Sequence, residues 1–310
     1  MLDVEVRPFR RDDREQLTAL VNAHVQSVVP GVAVSVNAVL SQLEREPGEF
    51  VVDPWVVRRA TLVAEQRGRV TAAAHLLRYG DGPDVGESYR GAGEIRWLVC
   101  WPEAPYWPAT ARTGDAVAVA ALAWLGRSGA SRLYADGALP APGVYGLPDQ
   151  WPHVHAVLER AGFIPGERTE IVFLADVDAL VRPAAPVAGL TCRRTLGVNG
   201  TRFTAQRDHD ELGYLEVELR IGDAGRIVRH EGWVDIGNLH VDDVDRRHAI
   251  AGWLLGQAAE WLRLGHVDRL LGYAAPEQEE HRAFLQRAGF RELTRTRRGW
   301  ERTLPTPPFS

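Results

Sequence analysis

The densest group of side chains able to hold an anion is Arg246-Arg247-His248, followed at once by the small or apolar Ala249, Ile250 and Ala251. Ile250, Trp253, Leu254, Gln257 and Trp261 recur at helical spacing, so the cationic triplet stands where a helix begins. A helix start offers unpaired backbone N–H groups and the positive end of a dipole, and small residues let an anion approach the backbone. The same triplet would also serve merely to solvate the start of the helix, and both readings stay open on so short a motif. Gly114-Asp115 opens a comparable Ala-rich segment to Arg127, but there a carboxylate either repels an anion or compensates the dipole.

Other chemistry-bearing residues are isolated. His153 and His155 have metal-ligand spacing, yet no carboxylate or cysteine completes a set, and no metal is expected. Cys100 lies in an apolar run, where inert burial is the expectation. Tyr273, at the end of an apolar segment, and Tyr145, in a Pro-rich one, carry hydroxyls that either pack or reach solvent. Trp101, Tyr106 and Trp107 could line an aromatic pocket or belong to a core.

The elements that must position these residues come in two sets. Leu158-Glu159-Arg160-Ala161-Gly162-Phe163 returns as Leu285-Gln286-Arg287-Ala288-Gly289-Phe290, identical in five of six positions and 127 residues on. Glu94-Ile95 and Leu98 answer Asp235-Ile236 and Leu239, and Ala64 to Arg67 answers Ala205 to Asp208, both at a spacing of 141. Each copy reads as strands, helix, strand, helix and closing strands, an α/β order with a mixed sheet. Strands are expected at Ala92 to Cys100 and Gly232 to Val241, helices at Gly114 to Arg127 and from Ile250, and a C-terminal helix cap at Gly289. The first copy has room for an amphipathic helix at Asp12 to Ser27; between Leu190 and Phe203 the second has room only for a strand and a turn. The implied organisation is a domain at 1–178, a Pro-containing linker at 179–189 and a domain at 190–310.

The balance of 45% apolar and 25% charged residues over 310 positions is that of a globular chain with two cores. A net charge of -5 argues against a general nucleic-acid binder, and no apolar run is long enough to span a bilayer. The beginning Met1-Leu2-Asp3-Val4-Glu5 lacks the pattern of a secretory signal, so a cytoplasmic location is expected. The two cysteines form no framework, and arginine supplies all 36 basic side chains, which points to a GC-rich, bacterial type of coding sequence. Oligomeric state is not encoded in any of these features.

Val241 to Ala251, followed by a helix and later by Arg-Ala-Gly-Phe, resembles the acetyl-CoA loop of GCN5-related N-acetyltransferases. That family's loop reads Gln/Arg-x-x-Gly-x-Gly/Ala, and Arg246, Ala249 and Ala251 stand at its defined positions, with Ala in place of the first Gly. The resemblance implies tandem acetyltransferase-like domains, the first degenerate and the second binding acetyl-CoA as co-substrate. It implies that Leu239, His240 and Val241 hold the pantetheine arm, and that Arg246, Arg247, His248, Ala249, Ile250 and Ala251 hold the pyrophosphate. It further implies a general base six residues before the strand-final residue, which is Asp235 here and Glu94 in the first copy. The family's usual acid, a tyrosine five residues before the Phe of Gly-Phe, is replaced by Leu158 and Leu285, leaving Tyr273 or Tyr145 as substitutes. The expected partner is a small-molecule or peptide amine, and the alternative is a non-catalytic tandem domain that senses a ligand or binds a partner. Acidic clusters near Asp242 and Glu280 either solvate the surface or favour a cationic amine.

Overall fold

The structure is a computed structural model that describes residues 4–45, 53–102, 110–137, 143–218, 232–242 and 246–303. Tyr106, Trp107 and the loop residues 243–245 fall outside that set. In chain order the elements are β1 (Glu5–Pro8), α1 (Arg14–Val28), α2 (Val36–Glu44), β2 (Val56–Gln66), β3 (Arg69–Tyr79), β4 (Gly93–Cys100), α3 (Thr110–Arg127), β5 (Arg132–Tyr134), β6 (Leu147–Pro148), α4 (Pro152–Arg160) and β7 (Thr169–Asp176). They continue as β8 (Leu190–Gly197), β9 (Gly200–Arg207), β10 (Asp210–Glu218), β11 (Trp233–Val241), α5 (Arg247–Leu264), β12 (Arg269–Ala274), α6 (Glu279–Arg287), β13 (Arg291–Arg297) and β14 (Glu301–Thr303). No described helix is long and apolar enough to cross a membrane.

Two compact units result. Unit 1 takes the chain to Thr169 and again from Arg295, and its sheet runs β1-β2-β3-β4-β5-β14. Strands β4 and β5 are parallel, joined through α3, as a strand–helix–strand crossover requires. The apolar side of α1, with Leu17, Leu20, Val21 and Val25 fully buried, and the interior of β3 supply much of its core. Helix α2, which no sequence pattern had signalled, is capped by Ser35, whose side chain accepts from the Ala38 N–H at 3.2 Å.

Unit 2 takes the described residues from Glu170 to Thr294, with strand order β13-β7-β12-β11-β10-β9-β8. Its parallel pair is β11 and β12, joined through α5. Strands β8 and β9 form the direct hairpin expected where the first copy inserts its helices. Phe203, Leu215, Val217, Val234, Ile250, Leu254, Ala258 and Leu270 form one buried cluster beneath α5.

The repeat is visible in the backbone. Helices α3 and α5 each have 18 residues. Arg67 and Asp208, at matched turn positions, both adopt positive φ, +52° and +57°. Gly162 and Gly289 follow α4 and α6 at φ +83° and +98°, the left-handed conformation that ends a helix most readily at glycine.

The closing strands depart from the expected boundaries. Strand β7, inside the expected domain 1–178, lies beside β12 in unit 2; β14, from the expected domain 190–310, lies beside β5 in unit 1. A strand's alternation records that it needs a partner but not which one. The expected linker at 179–189 is fastened to α5: Arg263 Nη2 donates to Leu180 O at 2.5 Å, and Arg182 Nη1 to Glu260 Oε2 at 2.5 Å.

Candidate functional site

Strand β11 is the spine of the candidate site. Asp235 pairs with Glu218 and Ile236 with Val217, but the next β10 residue, Glu216, pairs with Asn238, so Gly237 is an inserted bulge residue. The bulge shifts the alternation by one: Val234 and Ile236 face the α5 core before it, Leu239 and Val241 after it. Asp235 therefore lies on the face opposite α5. The β4 strand of unit 1 bulges at the matched residue, Arg96, between the pairs His75–Trp97 and Leu76–Ile95.

Strands β11 and β12 pair only through Trp233, Val234 and Asp235, after which β12 continues against β7 and β11 against β10. Parallel strands that part leave backbone groups of Ile236 to Val241 without a ladder on that side, and a ligand arm can run there. Where they part lies a cavity of about 310 Å³, lined by Leu239, His240 and Val241 from β11, Arg247, His248 and Ala251 from α5, and Glu280, His281 and Phe284 from α6.

Six of the residues singled out from sequence thus share one wall. Arg246 is the N-cap of α5, and its side chain makes no capping hydrogen bond; Ala249 is exposed in the first turn. Ile250 belongs elsewhere: its side chain is fully buried in the core and its N–H already donates to Arg246 O at 3.0 Å. Asp235 and Tyr273 are not on the cavity wall but meet each other, Tyr273 Oη donating to Asp235 Oδ2 at 3.3 Å, with Asp235 8% exposed.

Of the α6 residues only Glu280 stood out in the sequence, as part of an acidic cluster; His281 and Phe284 were missed because their place here is tertiary. The signal was the i, i+1, i+4 spacing of Glu280, His281 and Phe284 on a helix whose Leu285 is core. Phe284 is near-parallel to both the His248 and His281 rings, with centroids 5.8 and 6.2 Å away. Glu280 Oε1 stands 3.3 Å from His248 Nε2, and Oε2 4.0 Å from Arg247 Nη1. His240 Nε2 is 2.9 Å from Asp242 Oδ1 on the exposed rim. Burial pushes the His281 ring below its ordinary value and the His248 charge adds to that, while a hydrogen bond to the Tyr273 backbone opposes it.

Among the described residues, the matched positions of unit 1 lie close together. Helix α3 begins at Thr110, four residues before the expected start, so Gly114 is the counterpart of Ala251 and lies inside the helix. A Cβ on Gly114 would stand 2.8 Å from Val157 Cγ2 and 3.1 Å from Cys100 Sγ. Val157 and Cys100 are the counterparts of Phe284 and Val241, so three positions that line a cavity in unit 2 are in contact in unit 1. Asp115 is held by Arg160, with Nη2–Oδ1 at 2.8 Å. Burial pushes the Cys100 thiol up to about 12, as fits an inert core cysteine.

Glu94 is 1% exposed, and both of its carboxylate oxygens are engaged, Oε2 by the Tyr79 hydroxyl and Oε1 by Arg96 Nη1 at 3.1 Å. It is a buried charge paired on both oxygens. Tyr145 packs beneath the Arg298 guanidinium, 5.1 Å from ring centroid to Cζ. His153 meets His24, not His155, with their Nε2 atoms 3.0 Å apart. Among the described residues no group of three or more His, Cys, Asp or Glu could hold a metal ion.

No protein-family model matches the sequence, and no curated protein matches it. Solved structures do match. A two-unit chain whose parallel strands part just ahead of a bulge, with a helix start at the opening, has the fold of the GCN5-related N-acetyltransferases, and the similar structures are of that class. The fold is the tandem form: a tandem protein of this class from the clavulanic acid biosynthesis pathway is 16% identical with a TM-score of 0.62, the match covering 98% of this chain and 100% of that one. A GCN5-related N-acetyltransferase from Sphaerobacter thermophilus is 14% identical with a TM-score of 0.60, covering 97% of this chain and 95% of that one. The GCN5-related glucosamine N-acetyltransferase region of a fungal multi-domain β-N-acetylglucosaminidase is 14% identical with a TM-score of 0.59. That match covers 97% of this chain, which spans 38% of the fungal protein's length.

Proposed function

We propose that unit 2 binds acetyl-CoA at the opening between β11 and β12 and transfers the acetyl group to a primary amine. The observation that carries this reading is the cavity itself: six residues marked from sequence line it, whereas Gly114, Val157 and Cys100 at the matched positions of unit 1 are close-packed. The pyrophosphate would meet Arg246, Arg247, His248 and the first N–H groups of α5, and the pantetheine arm would follow Leu239 to Val241. A thioester carbonyl held against β11 backbone N–H groups would have its developing negative charge stabilised. Asp235, on the face away from α5, would take the amine's proton, directly or through a water, with Tyr273 orienting it. Unit 1 is then a degenerate partner, and the acceptor is a small-molecule or peptide amine.

Calorimetry with acetyl-CoA on the intact chain, and on Arg246→Ala plus Arg247→Ala, tests this. Binding that the double substitution weakens at least tenfold supports it, and absence of binding to the intact chain rules it out.

A second reading, a CoA-binding module without turnover, is favoured by Glu280 beside Arg247 and His248 and by Leu285 at the usual acid position, fully buried. Thiol release with a panel of primary amines, lost in Asp235→Ala, would refute this second reading.

A further inference from the structure

Unit 1 carries α1 and α2 between β1 and β2, whereas in unit 2 the strand β8 turns directly into β9. The inserted helix α2 does not close fully on its sheet. Between it, the end of β1 and the first half of β2 lies a cavity of about 580 Å³, within the roughly 300–1,000 Å³ of sites that enclose small molecules. It lies wholly within unit 1, so the acetyl-CoA reading of unit 2 assigns it nothing.

Its apolar wall includes Phe9, Leu40 and Leu43, all half-buried. Its charged lining is Arg59 on β2, with Arg11 and Glu44 both exposed, and two cations against one carboxylate favour an anion. Arg59 is the fixed cation of the two: it is paired in the ladder with Leu77, and its side chain is only 25% exposed. Asp53 accepts from Nη2 and so holds the guanidinium in place, but Nε is buried without a hydrogen-bond partner among the described residues. A buried donor left unpaired is costly, and folded proteins rarely keep one. The next wall residue on that face, Thr61, is already engaged, its Oγ1 lying 2.9 Å from Nδ1 of the buried His75.

We propose that this cavity binds an amphipathic monocarboxylate, its carboxylate on the Arg59 guanidinium and its apolar body against Phe9, Leu40 and Leu43. A planar carboxylate matches the planar guanidinium and uses donors that Asp53 leaves free. An inorganic phosphate has no apolar part to cover Phe9 and the two leucines, and an ammonium group would face Arg11 and Arg59. Unit 1 is then a ligand-binding unit in its own right, through a helix that its sibling lacks.

The test uses octanoate on the intact chain, with octanamide and octylamine as neutral and cationic matches of the same length, and binding is read by calorimetry and saturation-transfer NMR. Octanoate is expected to bind with a Kd of about 1 mM or below, octanamide about tenfold more weakly, and octylamine not at all at ~10 mM. Arg59→Gln should weaken octanoate about tenfold and change octanamide less than about twofold, a split that general loosening of unit 1 would not give. Leu40→Trp, which fills the apolar end, should weaken both about tenfold or more, with the urea midpoint reporting that it folds. If it does not fold, the ranking of the three ligands and the Arg59→Gln comparison decide. Octanoate that does not bind at ~10 mM, that binds no tighter than octanamide or octylamine, or that binds Arg59→Gln as it binds the intact chain overturns the proposal. Acetyl-CoA binding, measured alongside, should be the same in both variants; its absence from the intact chain overturns the function proposed for unit 2 and leaves this inference standing.

Discussion

Substituting Gly114 by Ala sets two effects of known size against each other inside α3. In an open helix interior the change would stabilise by about 1 kcal/mol, because Ala gives up less backbone entropy than Gly. Here the added Cβ would sit 2.8 Å from Val157 Cγ2 and 3.1 Å from Cys100 Sγ, well inside the roughly 3.5–4.0 Å of a favourable contact. Both neighbours are 1% exposed and have no free space to retreat into. Overpacking of this kind costs about 1–3 kcal/mol, so the steric term outweighs propensity and the expected net is a loss of about 1 kcal/mol. Urea unfolding monitored by tryptophan fluorescence should show a lower midpoint without a change in slope, while CoA affinity stays within twofold. A midpoint that rises would refute the reasoning, since it would mean that Cys100, Gly114 and Val157 enclose space as their counterparts do in unit 2.

Two further outcomes are expected. His24, held down to about 4 by burial, and His75, held down to about 3 by burial and by Arg59 and Arg96, bind protons in the unfolded chain before they do in the folded one. Their folded values are depressed, so stability is full above about pH 6.5 and falls as pH drops toward 3–4, by about 3 and 5 kcal/mol in the limit. Urea midpoints between pH 7 and 4.5 should fall steeply, and a flat profile would show that neither ring is buried neutral. Glu280→Gln removes the carboxylate that competes for Arg247 and His248; because the pair is more than a third exposed, CoA binding should tighten only about two- to fivefold, read by calorimetry at low salt. Weaker binding would show that Glu280 orders the site.

Much of this was legible because the repeat repeats its physics. Ala-Gly-Phe marks a helix end that needs a left-handed residue, and both copies place glycine there. The shift from Val234 and Ile236 to Leu239 and Val241 is readable in the one-residue slip of the apolar alternation, with Gly237 inside it. What was not legible depends on contacts distant in sequence. Gly114 invites comparison with a loop glycine at a helix start, whereas it lies inside α3 and serves close packing against Cys100 and Val157. His281 gives no local sign of its place, since only the return of α6 beside α5 brings it to the cavity. Glu94 and Asp235 are alike in sequence, and only their surroundings separate a locked ion pair from a carboxylate beside a tyrosine.

The exchanged closing strands bear on how such a chain persists through mutation. The first copy ends in β7, which supplies unit 2 with the neighbour of β12, and the second ends in β14, which does the same for β5. A duplicate that merely stood alongside could be deleted with the other sheet left whole. One that furnishes an interior strand of its sibling's sheet cannot be lost without opening that sheet.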